Sequence, residues 1–554
     1  MFDINLPSDI QFKLSYDKIR DRSSAQPSYN LTRTEPGNFC TIVRGLPDFL
    51  RPANQANNGC IENSYAVATN SGFDLFTRGI AFEGVLDADQ VIVKMNSALN
   101  EDLEWTYLFG YRDQFERFRF DPLGSPLVEI AGNAAPILFI SSENETTQMS
   151  HELRLSGDFS ENISGVVGLY YFDTQVGSGG GRRPDEELTT VIRETETVEV
   201  AANQFVFGDA VNAFEYQQDL QAVAVFGDAT ILIAPDWSIS TGLRYTQEEK
   251  KFSATFIPLN SPGSPFAPLP NVARDQETFN ALTGRFALQY QIAENSMLYA
   301  SLQNGFRSGG YNGRAGSAEE IGPYDEEYVD SLEFGLRFET ANRRIQINPT
   351  LFLSRYEDKQ EEVVMPIVEG GGATRTLVQN AASVTIQGLE VDTRLELTPQ
   401  LSLQGSLGLL DAEYDEFLIP NPDIFGAQID VSNERSIRRA PDWTYFLALD
   451  YETEISNSLK LSMRGAYAQQ GDFAAALTAD VDGFDIIEND SSVDFSVSLE
   501  NKNKNDLSWK ATFFINDALD DAPGKLASFT NAGPFATGVG VPTKLYGVSL
   551  ILEL

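Results

Sequence analysis

The connections in this chain alternate between tight and long, and that parity constrains the fold more than any other feature of the sequence. Tight turns stand at Asn100-Glu101-Asp102, Ser160-Glu161-Asn162, Ala234-Pro235-Asp236, Ala293-Glu294-Asn295, Ala341-Asn342-Arg343, Thr398-Pro399-Gln400, Ser456-Asn457 and Asn503-Lys504-Asn505. Between them lie long polar stretches, over roughly residues 23–87, 120–147, 176–219, 258–279, 312–326, 366–376, 418–439, 470–490 and 521–543. About eighteen segments joined in this way carry a hydrophobic period of two. Leu401, Leu403, Gly405, Leu407 and Leu409 fall on one side of such a segment, and Ser402, Gln404, Ser406 and Gly408 on the other. A soluble sandwich holds alternating strands too, but has no reason to make every second connection long. A barrel in an outer membrane does, because its turns are short on the periplasmic side and its loops long outside the cell.

Composition agrees. Hydrophobic residues make up 42% of the chain, mean hydropathy is −0.23, and no run of apolar residues is long enough to cross a bilayer as a helix. A closed barrel spans lipid with apolar side chains at only every second position, so such a chain reads as polar overall. The expectation is therefore an all-β, antiparallel transmembrane β-barrel formed by residues 1–554 as one domain. Aromatic runs such as Phe109-Gly-Tyr-Arg-Asp-Gln-Phe115 fit interfacial girdles on strands that project above the membrane.

With 80 Asp and Glu against 40 Lys and Arg, the formal charge is −40, which makes nucleic acid an unfavourable partner. Solvated acidic loops account for the charge, and divalent cations bridging to lipopolysaccharide suit it. Cys40 and Cys60 sit in one long polar segment and are read as an extracellular-loop disulfide, with free thiols as the alternative. The first residues lack both a basic and an apolar region, so they form no signal peptide, and the chain is expected to begin inside a longer gene product.

Catalytic chemistry finds little support. The single histidine, His151, has no nucleophile near it in sequence and is assigned a structural role. The acidic run Asp480-Val-Asp482-Gly483-Phe-Asp485-Ile-Ile-Glu488-Asn-Asp490 lacks EF-hand spacing and is read as a solvated loop, with weak surface calcium binding as the alternative. Gly177-Ser-Gly-Gly-Gly-Arg182-Arg183 precedes no helix and is read as a loop tip. Pro349 interrupts a good strand and marks an irregular ladder. No catalytic, metal or cofactor residues are expected.

Several segments, in order along the chain, carry a resemblance. Tyr299-Ala-Ser-Leu-Gln-Asn-Gly305-Phe306-Arg307-Ser308-Gly309-Gly310-Tyr311-Asn312 resembles a segment of TonB-dependent receptor barrels, and Tyr324-Asp-Glu-Glu-Tyr328-Val-Asp-Ser-Leu-Glu-Phe-Gly335 is similar to the strand that follows it. His151-Glu-Leu-Arg-Leu-Ser-Gly157, Gly242-Leu-Arg-Tyr-Thr246, Asn380-Ala-Ala-Ser-Val-Thr-Ile-Gln-Gly-Leu-Glu390 and Asn516-Asp-Ala-Leu-Asp-Asp521 match further family segments. The resemblance implies a barrel of about 22 strands with an N-terminal plug and a TonB box. Neither plug nor TonB box is visible, and about four strands are missing from the count.

It also implies energised import in the outer membrane, with TonB, ExbB and ExbD acting on a plug and the loops capturing a ferric-siderophore-like or similar bulky small molecule. A passive, substrate-selective porin and a truncated, non-functional receptor are the alternatives. Glu390, Asp392, Arg394 and Glu396 alternate with apolar residues and are expected to face the lumen, where they either pair with a plug or line a pore.

Overall fold

The computed structural model describes residues 2–5, 10–23, 28–30, 83–120, 128–130, 133–135, 140–177, 198–200, 203–205, 212–258, 271–313, 315, 320–366, 374–421, 427–475, 486–487, 490–501, 508–519, 525–532, 535–541 and 544–553. Among them one twenty-stranded sheet dominates. All but one of its strands pair antiparallel in chain order and make a continuous wall. They are β1 (Phe2–Asn5), β2 (Gln11–Ser23), β3 (Glu83–Ala98), β4 (Leu103–Phe120), β5 (Ile140–Ser160), β6 (Ile163–Gly177), β7 (Asn212–Ala234), β8 (Trp237–Pro258), β9 (Asn271–Ala293) and β10 (Ser296–Arg307). The wall continues through β11 (Glu327–Glu339), β12 (Ile345–Pro366), β13 (Thr374–Glu396), β14 (Leu401–Pro420), β15 (Trp443–Ser456), β16 (Leu459–Gln470), β17 (Asp490–Asn501), β18 (Ser508–Asn516) and β19 (Leu545–Glu553). The remaining strand, Gln428–Asp430, is a side branch on β14.

Each of the eighteen expected segments corresponds to one of β2 to β19. The addition is β1, four residues hydrogen-bonded to Gln11–Leu14 and too short to carry a periodicity signal. Among the described residues no ladder joins β19 to β1 or β2. The loops on the long side do meet there, because Ser28–Asn30 pairs with Phe535–Val541.

The two faces of the wall differ in kind. On one, apolar side chains follow each other across strands: Leu153, Leu169, Val225, Tyr245 and Leu282 are successive partners, as are Phe334, Leu351, Leu389, Leu409 and Trp443. Leu169, Leu243, Leu282 and Leu550 are each 59–63% exposed. A sandwich would bury these rows against a second sheet, whereas a barrel presents them to lipid. The other face is polar and carries the charged side chains described below.

Seven of the tight turns fall where the parity of the sequence placed them, and Asn503-Lys504-Asn505 lies outside the described residues. Strands meeting the long loops run well past ten residues, as expected, reaching 23 in β7, β9 and β13. About ten residues suffice to cross the bilayer, so the wall projects beyond it on the loop side. Pro349 stays in the ladder to β13 opposite Val391, but the β11–β12 ladder omits the Leu336–Pro349 and Arg337–Asn348 pairs. That gap is the irregularity expected of a residue without an N–H.

Candidate functional site

Several cations on the polar face are paired with acids. Arg154 Nε lies 2.8 Å from Glu152, Arg285 Nε 2.6 Å from Asp228, and Arg464 Nη1 2.8 Å from Asp450. Arg244 stands apart, with its guanidinium 5.4 Å from the centre of the Tyr170 ring and 5.6 Å from that of Phe226. Strand parity explains the Gly242-to-Thr246 segment: Leu243 and Tyr245 are exposed on the apolar face, while Arg244 and Thr246 turn to the polar one, joined by a 3.0 Å hydrogen bond from Arg244 Nε.

Glu390, Asp392, Arg394 and Glu396 alternate along the same polar face of β13. Their neighbours there are Thr350, Asn348 and Gln346 of β12 and Gly408, Ser406, Gln404 and Ser402 of β14. Arg394 Nε donates to Glu396 Oε1 over 2.9 Å, and Glu390, Asp392 and Arg394 are exposed. Pairs this open contribute under about 1 kcal/mol each to stability.

At the loop end of the wall the polar face is covered. After β10 the chain folds back over it as a strap, of which residues 308–313, 315 and 320–326 are described, fastened by side chains far away in sequence. Lys250 Nζ donates to Ser308 Oγ over 2.6 Å and also to the Gly309 carbonyl. Asn312 exchanges two hydrogen bonds with the backbone of Val378, and Asn380 does the same with Asp325. Gln360 Nε2 donates to the carbonyls of Ser308 and Asp325, 3.1 and 3.0 Å away. Tyr311 stacks on Phe252 with centroids 5.1 Å apart, above a buried cluster that includes Ala254, Ala273, Ile321 and Leu377. Burial pushes the Tyr311 phenol well above its ordinary range, helped by Asp275 and Glu277.

The Ser-Gly-Gly sequence is required at this fold-back. A β-carbon on Gly309 would fall onto the Tyr324 carbonyl oxygen and the Phe279 ring. Removing the lysine fastener leaves the Ser308 hydroxyl and Gly309 carbonyl without their cation, an interaction worth about 1.5–3 kcal/mol for a charged donor. Lys250→Met is thus expected to speed amide exchange in the strap by about ten-fold or more without changing the membrane-level ladder, as read by hydrogen-exchange mass spectrometry.

A second fastening holds residues 427–439. The Glu361 carboxylate, 4% exposed, accepts a 3.0 Å hydrogen bond from the Tyr414 hydroxyl, pairs with Lys359, and lies 3.8 Å from Arg438 Nη2. Val431 and Phe417 are buried in the same cluster with Val363 and Val384. Asp430 accepts from the backbone amides of Phe417 and Ser432, which hold its carboxyl below the usual range. Glu361 and Gln360 are adjacent on β12, so one strand anchors both coverings. The register shift around Lys359, beside Asp358 at φ 52°, is what buries two successive side chains.

The remaining sequence candidates fall elsewhere. His151 lies on the apolar face, its Nδ1 2.7 Å from the Tyr107 hydroxyl and its ring 5.0 Å from Phe109 and 6.1 Å from Tyr171. That is a place in an aromatic girdle, remote from the mouth. Cys40, Cys60, residues 178–183 and, of the 480–490 run, residues 480–485 and 488–489 lie outside the described residues. Lys250, Gln360 and Glu361 carried no sequence signal, whereas the 306–312 and 380–390 motifs were visible without showing that they meet.

The family model of the TonB dependent receptor-like β-barrel matches residues 15–517. The chain belongs to that family. Its members are transporters of the outer membrane and not enzymes. Solved structures share the fold at low identity. The ferric yersiniabactin uptake receptor FyuA of Yersinia pestis is 12% identical, with a TM-score of 0.69 over 99% of this chain and 69% of that one. The siderophore receptor PiuA of Acinetobacter baumannii is 13% identical, with a TM-score of 0.64 over 99% and 72%. The copper transporter OprC is 13% identical, with a TM-score of 0.59 over 85% and 68%.

Proposed function

We propose that this receptor barrel imports a bulky, scarce nutrient of the ferric-siderophore class, with a plug domain in the lumen and TonB, ExbB and ExbD supplying the energy. The observation that carries the reading is the mouth: two coverings are fastened over the polar face by buried side chains. Such a mouth suits selective capture of a large solute better than free diffusion. Glu390, Asp392 and Arg394 line the path below it and meet the plug. Two of the three similar structures named above are siderophore-related receptors.

Passive diffusion is the second reading, favoured by a strap that lies on the inner face as a porin's constriction loop would. Arg154, Arg285, Arg394 and Arg464, each paired with an acid, do not form the charge ladder expected of a porin, which leaves import the better account. The deciding experiment grows a deletion strain under iron limitation on individual ferric complexes, with and without TonB. Import is expected to show as loss of growth on one complex, restored by the gene only when TonB is present. Restoration without TonB sinks the proposal.

A further inference from the structure

The lipid-facing surface has a break between β9 and β10. These strands pair from Ala293 and Ser296 up to Arg285 and Gln303, where the ladder stops although β9 runs on to Asn271 and β10 to Arg307. The Asn304 carboxamide stands in for the next rung. Gly284 N–H donates to Asn304 Oδ1 over 2.7 Å, and Asn304 Nδ2 donates to the Leu282 carbonyl over 3.4 Å. Gly284 has no side chain to fill the outward face, and a cleft of about 710 Å³ opens there.

The cleft is amphipathic along the membrane normal. Phe286, Leu302, Leu332 and Leu353 form the rim toward the bilayer centre. Phe286 and Leu302 are cross-strand partners, as are Leu302 and Leu332, and Leu332 and Leu353. The opposite rim, toward the long loops and so toward the outside of the cell, holds Asn304, Asp330 and Arg355. Asp330 and Arg355 are partners on adjacent strands. Arg355 is exposed and forms no ion pair among the described residues.

An apolar slot topped by an uncommitted guanidinium matches one component of the surrounding medium. Lipid in the outer leaflet must fill any gap on this face, since a void there forfeits contacts. A guanidinium fork favours a phosphate oxygen pair. We propose that the cleft is a binding site for lipopolysaccharide, with an acyl chain along Phe286, Leu302, Leu332 and Leu353 and a phosphate of the lipid anchor on Arg355. Asp330 takes the divalent cation that accompanies such phosphates. This rests on the outer-membrane placement of the barrel and is independent of the transported ligand.

Native mass spectrometry of the barrel purified in detergent reads the lipid retained, followed by titration with purified lipid A and, separately, phosphatidylethanolamine. The wild-type chain is expected to retain lipid A preferentially. Arg355→Glu and the double variant Leu302→Trp, Leu332→Trp, which fills the slot, are each expected to weaken retention by about ten-fold or more, and Arg355→Lys by less. Heat-modifiable gel mobility verifies that each variant is folded. Equal retention by folded Arg355→Glu, or displacement of lipid A by equimolar phosphatidylethanolamine, overturns the proposal.

Discussion

Replacing Leu407 with arginine is expected to destabilise the barrel by about 2–4 kcal/mol, whereas arginine one position earlier, at Ser406, is expected to change stability by about 0.5 kcal/mol or less. The two residues are adjacent on β14, so propensity and depth are nearly the same. What differs is the face. Leu407 is 39% exposed between Val391 and Tyr445, in the apolar rows that meet lipid. A guanidinium there enters hydrocarbon or bends the bilayer toward it. Ser406 lies between Asp392 and Phe446 on the polar face, where an arginine gains water and a nearby carboxylate. Reversible urea unfolding in liposomes measures both, the difference appearing in the midpoint at constant slope. Equal costs at the two positions would mean that the faces are assigned wrongly, and a larger cost at Ser406 would invert them.

The same parity explains which parts of the fold were legible in the sequence. Segments that follow tight turns begin where they were expected, as at Leu103, Ile163, Trp237 and Ser296. Several that follow long loops begin earlier than expected, β5 at Ile140 against an expected start near 148 and β9 at Asn271 against one near 280, while β11 begins at Glu327 as expected and β15 at Trp443, three residues later than expected. Below the membrane surface one face must be apolar, so the period of two is written into the side chains. Above it both faces are wet, and residues such as Glu248, Lys251, Asp275 and Glu277 alternate nothing. Strand continues there because the ladder of the neighbouring strand continues.

The mouth was legible only in pieces. Gly309 and Asn312 stood out within a family-like segment, and so did Asn380. That Asn380 holds Asp325 and that Asn312 holds Val378 are contacts between segments 55 and 66 residues apart, which no local pattern encodes. Gln360 and Glu361 read as two polar residues in an acidic stretch. Their roles come from a register shift that sequence periodicity does not report.

Glu361 therefore offers the sharper test of how the mouth is built. Its carboxylate gathers the Tyr414 hydroxyl and the Lys359 and Arg438 cations at one buried point, and Glu361→Ala leaves all three without it. Loss of one partner in a fully buried network costs about 3–5 kcal/mol. Here the lysine and arginine keep side-chain exposures of 21% and 43%, so water compensates part of the loss and about 1.5–3 kcal/mol is the expected range. Amide exchange in residues 427–439 is then expected to rise by about 10- to 100-fold. The strap is fastened separately, through Gln360, Lys250, Asn312 and Asn380, so its exchange is expected to change by less than about three-fold. Glu361→Gln, which keeps an acceptor for Tyr414 but gives up the charge, is expected to fall between the wild type and Glu361→Ala. If Glu361→Ala loosens the strap as much as residues 427–439, the two coverings form one cooperative lid hinged on β12, and ligand capture at one is transmitted to the other through that strand.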